Sequence, residues 1–192
     1  MRHEGVCPVW VGYFLICPVR RWFENPKKIL SAYVRKGMKV LDAGCAMGFF
    51  SLPLSEMVGT KGEVICIDVQ EKMVQKLRKR AQKAGLLDRI ETRVCAGDSL
   101  GIGDLAETID FALASAVVHE LPEPSVFFVE VYDSLKNGGR FLVIEPKGHV
   151  SSEEFDETIA LAENAGFKAA EKLTIWGSHS IVLEKSNKNS PG

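Results

Sequence analysis

The stretch Val40-Leu41-Asp42-Ala43-Gly44-Cys45-Ala46-Met47-Gly48 limits the possible folds of this chain more than any other. An apolar run ends in an acid. A loop bounded by two glycines follows, and an apolar helical segment starts after it. Glycine lets the backbone turn left-handed and lets a ligand come close to the main chain. Twenty residues past Gly48, a second apolar run, Val64-Ile65-Cys66-Ile67, ends in Asp68. Apolar runs without alternation mark strands covered on both faces. Strand, glycine loop, helix and strand therefore open a doubly wound α/β sheet. The carboxylate at the second strand end adds a signature of a nucleoside-cofactor site.

The rest of the chain repeats this alternation. Pro26 opens a helix over about 26–35, which Gly37 ends, and the first strand lies near 38–43. A helix over about 48–58 stops at Gly59, and the second strand lies near 63–67. The helix expected at 70–84 places Met73, Val74, Leu77, Ala81 and Ala84 on one face, with Gly85 as its cap. Its other face carries Lys72, Lys76, Arg78, Lys79 and Arg80, read as solvated. Strands are expected near 90–95 and 109–115, with a helix entered at Pro122 and Pro124 and running to about 136. That helix turns Phe127, Phe128, Val131 and Leu135 inward, and Asn137-Gly138-Gly139 ends it. A fifth strand covers 141–144, and Ser151 with Glu154 forms a capping box for a last helix ending near Gly166. Strands over 167–174 and 179–184 then follow with no room for a helix between them, so that pair is antiparallel. The expected fold is a mostly parallel, seven-stranded, doubly wound sheet with a C-terminal antiparallel pair.

One domain is expected from 192 residues, with 46% apolar and 26% charged residues. A net charge of −1 gives no global pull toward nucleic acid or anionic membrane. Five unevenly spaced cysteines do not form a disulfide framework, and a reducing cytoplasm is the expected compartment. Residues 6–19 are strongly apolar but too short, and too interrupted by Pro8 and Pro18, to span a bilayer as a helix. The division expected is an apolar extension over 1–25 that packs as a lid, with a peripheral membrane or partner contact as the alternative, a folded domain over 26–184, and a polar, disordered tail over 185–192.

The identity of the cofactor turns on the loop. A dinucleotide fingerprint needs G-x-G-x-x-G, and starting from Gly44 its second and third glycines are Ala46 and Phe49. The pattern is D-x-G-C-A-x-G instead. An acid two residues before the first glycine repels a pyrophosphate and suits an ammonium group. With these features the chain resembles the class I S-adenosylmethionine-dependent methyltransferases, over about 26–184. Ala46 departs from the family's G-x-G-x-G at its middle glycine.

The resemblance implies S-adenosylmethionine as cofactor. It implies that Asp42 helps hold the methionine amino group, and that Gly44, Cys45, Ala46 and Gly48 pass beneath the ligand. Asp68 takes the ribose hydroxyls, and Val69 and Gln70 lie beside the adenine. In the Gly97-Asp98-Ser99 turn, Asp98 reads the exocyclic amine and Ser99 offers its N–H. Ser115 ends the fourth strand, where a carbonyl meets the methionine end. Taken singly, each has another reading, since an acid at a strand end also caps helices and Gly-Asp is an ordinary turn.

The implied activity is methyl transfer to a small-molecule acceptor. His119 and Glu120, after the fourth strand, are candidate catalytic residues because imidazole titrates in the useful range. A structural role for His119 stays open. Glu145, Lys147 and His149 after the fifth strand read either as an acceptor pocket or as a solvated loop. Trp10, Tyr13, Phe14 and Trp22 in the N-terminal extension suit an apolar or aromatic acceptor. Cys7 and Cys17 raise a metalloid acceptor, without the paired spacing of a metal site. A cofactor-binding regulatory protein and a nucleotide-dependent oxidoreductase are the alternatives.

Overall fold

In a computed structural model, residues 25–186 are described. The expected N-terminal lid, Cys7, Cys17 and most of the polar tail lie outside them. Among the described residues, no helix is long and apolar enough to cross a membrane.

The elements run α1 (Pro26–Leu30), β1 (Lys39–Ala43), α2 (Ser51–Val58), β2 (Glu63–Asp68), α3 (Glu71–Ala84), β3 (Ile90–Val94) and β4 (Ile109–Ser115). They continue with α4 (Pro124–Ser134), β5 (Leu135–Pro146), α5 (Ser152–Asn164), β6 (Phe167–Lys172) and β7 (Ser178–Lys185). All seven strands form one sheet in the order β3-β2-β1-β4-β5-β7-β6. Strands β1 to β5 pair in parallel, and β7 runs antiparallel to both β5 and β6. The expected architecture is therefore the observed one. Strand order reverses between β1 and β4, so the crevice at their carboxyl ends is the switch point where such sheets bind ligands.

Both sheet faces are covered, as the unbroken apolar strand runs require. One layer packs Leu41, Ile65, Ala112, Phe141 and Leu183 against Phe127, Phe128 and Phe155. The other packs Val40, Val64, Phe111, Leu142 and Val182 against Leu54, Val58 and Leu77. Consecutive strand residues thus feed opposite cores, which fixes the register of every central strand.

Several boundaries differ from expectation, for local reasons. Helix α1 ends at Leu30 instead of 35 and is capped by Asn25, whose side chain accepts from the Lys28 N–H. Helix α2 starts at Ser51, not 48, because Gly48 has φ 84 and cannot begin a right-handed helix. Helix α3 buries Met73, Val74, Leu77 and Ala81, but Ala84 is exposed and Leu86 takes the inward place beyond the left-handed Gly85 cap. Helix α4 stops at Ser134, and Leu135 turns extended to pair with Ile109. Strand β5 is longer than the expected 141–144, and its pairing with β4 shifts around Gly138 and Gly139. The capping box of α5 is present in both directions, Glu154 N–H to Ser151 Oγ and Ser151 N–H to Glu154 Oε2. Lys185, expected in the tail, is buried at the end of β7 and donates to the Leu135 carbonyl at 2.7 Å.

Candidate active site

Asp68 is the centre of the site. Its Oδ2 accepts the Ala46 N–H at 2.9 Å, and its Oδ1 accepts the Gln70 N–H at 2.8 Å. One bond comes from the glycine loop after β1 and the other from the entry to α3. The carboxylate is therefore held by two backbone donors, and each oxygen keeps a second lone pair for an incoming hydroxyl. Partial burial raises its pKa, against the pull of those two N–H groups.

The loop that supplies one donor is wound unusually. Gly44, Ala46 and Gly48 all lie at positive φ, at 78, 45 and 84°. Alternate residues thus turn left-handed, and the Gly44 and Cys45 N–H groups both turn back to the Ile67 carbonyl of β2, at 2.8 and 3.0 Å. Ala46 takes this conformation although it carries a Cβ, at a cost of about 1–2 kcal/mol. The missing glycine is thus a strain in the loop, and the Ala46 N–H still reaches Asp68. Gly44 could not be replaced in the same way, because a Cβ there would lie 2.1 Å from Val117 Cγ2. The loop is also clamped from α3, where Arg80 donates to the Met47 carbonyl. Helical spacing places Arg80 on a solvated face, and it does not reveal a partner 33 residues away.

Asp42 sits behind the loop, only 3% exposed, and accepts the Ser51 hydroxyl at 2.5 Å. Burial pushes its carboxyl up to about 7, with the Ser51 bond opposing and the nearby Asp68 charge adding. Its reach toward an amino group is thus a matter of field through the loop, with one oxygen already taken. Cys45 and Cys66 lie buried together. The contact with Cys66 is the largest reason, and burial the next, that the Cys45 thiol is pushed well up. It is a packing thiol, not a nucleophile.

The remaining expected residues fall around this centre. Val69 is exposed next to Asp68, and Gln70 is the cap residue of α3. Gly97 and Asp98 form an exposed turn closed by an Ala96–Ser99 bridge. Ser99 differs from expectation. Its N–H is turned to the Ala96 carbonyl at 3.4 Å, and its hydroxyl donates to Glu130 Oε1 at 2.8 Å. Glu130 on α4 also accepts the Leu100 and Gly101 N–H groups, at 2.7 and 3.1 Å, and so fixes the whole 97–101 turn. Nothing local in the sequence marks Glu130 for that task. Ser115 ends β4, half-buried at the switch point.

Beyond Ser115, Ala116 adopts φ 57 and donates its N–H to Ile144. This strained turn aims the next two N–H groups, Val117 at 3.1 Å and Val118 at 2.8 Å, onto Glu145 Oε1. Glu145 Oε2 meets His119 Nδ1. Glu145 is therefore not part of a solvated loop. It lies within β5, 1% exposed. Lys147 and His149 are exposed, as a loop would have them, although the His149 ring lies 5.7 Å from that of His119. Glu120 is displaced upward in pKa chiefly by burial, and it senses the charge of Asp68. Among the described residues, no group of three or more acids, histidines and cysteines could hold a metal ion.

The donor set fits S-adenosylmethionine. The crevice offers a held carboxylate for a diol and a second, buried acid behind the loop, a pair of acids that suits a cation better than a pyrophosphate. Comparison with known proteins agrees. A SAM-dependent methyltransferase from Aquifex aeolicus superposes with a TM-score of 0.83 at 28% identity, over 93% of this chain and 99% of that one. The ubiquinone/menaquinone biosynthesis C-methyltransferase UbiE of Haemophilus ducreyi is 31% identical over 112 residues, 58% of this chain and 42% of that protein. The demethylmenaquinone methyltransferase of a Geobacillus species is 26% identical over 125 residues, 65% of this chain and 51% of that protein. The chain thus spans about half or less of the length of these two curated relatives. The family profile described as a methyltransferase domain matches residues 34–185, from the end of the first helical region to the last strand. With the glycine loop, Asp68 and the seven-stranded topology all inside that match, the chain belongs to the methyltransferase domain family.

Proposed function

We propose that this protein transfers a methyl group from S-adenosylmethionine to a small-molecule acceptor. The observation that carries the reading is Asp68 at the end of β2, beside the glycine loop and held by one N–H from that loop and one from the entry to α3. When bound, the cofactor supplies an electrophilic methyl on a sulfonium. Its products are S-adenosylhomocysteine and the methylated acceptor.

The residues of the chain then have separable tasks. Asp68 accepts from the ribose hydroxyls. The left-handed residues 44, 46 and 48 let the backbone lie close under the ligand. A bound ammonium or sulfonium favours the ionised form of Asp42, whose carboxyl burial otherwise pushes up to about 7, and Asp42 then joins Asp68 in giving the crevice a negative potential. Val69 and the Gly97-Asp98 turn border the adenine side, with Glu130 holding that turn in place. Positioning is the main catalytic work, since an in-line approach at near-attack distance accounts for much of such a barrier. A small acceptor is consistent with the UbiE relative, named as a C-methyltransferase of ubiquinone/menaquinone biosynthesis, and with the demethylmenaquinone methyltransferase.

Calorimetry with S-adenosylmethionine and with NAD tests the reading. Binding of the first and not the second is expected. Asp68→Ala should weaken S-adenosylmethionine binding by roughly 10–100-fold, the worth of hydrogen bonds to a charged group. Unchanged affinity would remove Asp68 from the site.

A further inference from the structure

Glu145, His119 and the turn between them form a unit that cofactor binding does not use. Glu145 is a buried carboxylate at the carboxyl end of a central strand, and two consecutive backbone N–H groups hold its Oε1. Its other oxygen faces His119 Nδ1. A carboxylate accepts only, so Nδ1 must carry the proton and the basic lone pair of the neutral ring resides on Nε2. Glu120 Oε1 lies 3.9 Å from Nε2, close enough to pair with a protonated ring but beyond hydrogen-bond reach, so the lone pair of the neutral ring stays available. The His119 side chain is 22% exposed and its partner 1%. One end of the imidazole is anchored in the core, and the other end is open.

One contact and one charge effect tie this unit to the cofactor crevice. Val117, whose N–H binds Glu145, packs on Gly44 so closely that no Cβ fits between them. Glu120, next to His119, feels the charge of Asp68. The strained Ala116 is what turns the Val117 and Val118 amides inward, and strain of this kind persists where the surroundings impose it.

Building on the methyltransferase reading, we infer that His119 Nε2 is the general base for an acceptor that enters neutral with a weakly acidic, phenol-like proton, and that Glu145 is its positioning residue. The charges of Glu145, Glu120 and Glu154 all bear on His119, with the His149 ring beside it, so a preformed anion is repelled. The proton must therefore leave during transfer. As the acceptor atom forms its bond to the methyl carbon, its proton passes to Nε2, and the electron pair of the breaking carbon–sulfur bond stays with sulfur. The imidazolium is stabilised by Glu145 and later releases the proton to water.

The test has two arms on the full chain. The first needs no turnover. Nitrogen-15 spectra of histidine should show the Nδ1–H tautomer for His119, with a titration midpoint above the ordinary 6.5 set chiefly by Glu145. Glu145→Gln should lower that midpoint and mix the tautomers. An Nε2–H tautomer in the wild type, or a midpoint unmoved by Glu145→Gln, overturns the positioning role. The second arm follows S-adenosylhomocysteine formation with a series of para-substituted phenols, with mass spectrometry separating oxygen from ring-carbon methylation. The wild type should methylate phenols of ordinary acidity. His119→Gln should lose roughly 100-fold or more on those, in line with the usual worth of a general base, and regain rate as the phenol becomes more acidic. Equal loss across the series, or none, overturns the base. S-adenosylmethionine binding is measured on every variant. Intact binding with no phenol turned over overturns this inference alone, whereas absent binding in the wild type overturns the methyltransferase reading.

Discussion

Replacing Asp42 by Asn should change how stability depends on pH, and the size follows from burial. In the folded chain the Asp42 carboxyl is pushed up to about 7 by burial, against 3.8 for the free group. The unfolded chain therefore releases this proton near pH 4 and the folded chain near pH 7. Between those values the unfolded state binds fewer protons, so stability falls as pH rises through the window. The gap amounts to roughly 4 kcal/mol in full, of which about 2.5 kcal/mol falls between pH 5 and pH 8. Asn is neutral throughout and can still accept the Ser51 hydroxyl. Its amide N–H₂ adds an unpaired buried donor, a penalty of about 1–3 kcal/mol that does not vary with pH. The stability of Asp42→Asn relative to wild type should thus be higher at pH 8 than at pH 5 by about 2.5 kcal/mol. Urea unfolding without ligand at the two pH values measures it, the wild-type profile supplying the other titrating groups. A relative stability equal at both pH values within about 0.5 kcal/mol would mean that Asp42 ionises normally. The burial argument would then be wrong.

Other outcomes follow from single contacts. Ala46→Gly relieves a left-handed strain of about 1–2 kcal/mol and returns about 0.4–1 kcal/mol to the unfolded chain, for a net gain near 0.5–1 kcal/mol. Thermal melts should rise by about 1–4 °C, and a fall would show that the Ala46 methyl packs more than it strains. Glu130→Ala leaves the Leu100 and Gly101 amides and the Ser99 hydroxyl without their acceptor, at about 1–3 kcal/mol in stability. Faster amide exchange at 97–101 is expected, and unchanged protection there would show that the turn holds itself.

Much of the fold was legible in the strands. Runs such as Val64-Ile65-Cys66-Ile67 and Phe141-Leu142-Val143-Ile144 are apolar at every position, which only a sheet covered twice can bury. The turn between Lys172 and Ser178 is too short for a crossover, so the antiparallel edge followed as well. Helix starts were less legible. Gly48 could be read as an opening residue or as a left-handed one, and its clash with Leu77 after any added Cβ is a tertiary fact.

The site divides along the same line. Asp42, Gly44, Gly48 and Asp68 are local in sequence, at strand ends where backbone geometry already points a ligand toward them. What they do for one another was not legible. The Ala46 N–H reaches Asp68 across 22 residues, Arg80 reaches Met47 across 33, and Glu130 reaches Ser99 across 31. His119 and Glu145 are 26 residues apart, and either alone reads as a loop residue or a pocket wall. By itself the sequence determined the sheet, because period is a property of the chain, and its resemblance to a known family pointed to the cofactor and to Asp68 as the acid proposed to receive the ribose. Only the tertiary structure decided that Asp42 is buried behind its loop, that Ala46 is strained, and that Glu145 is locked beneath His119. Burial and pairing are set by which strands become neighbours, and β4 meets β1 and β5 only once the sheet has formed.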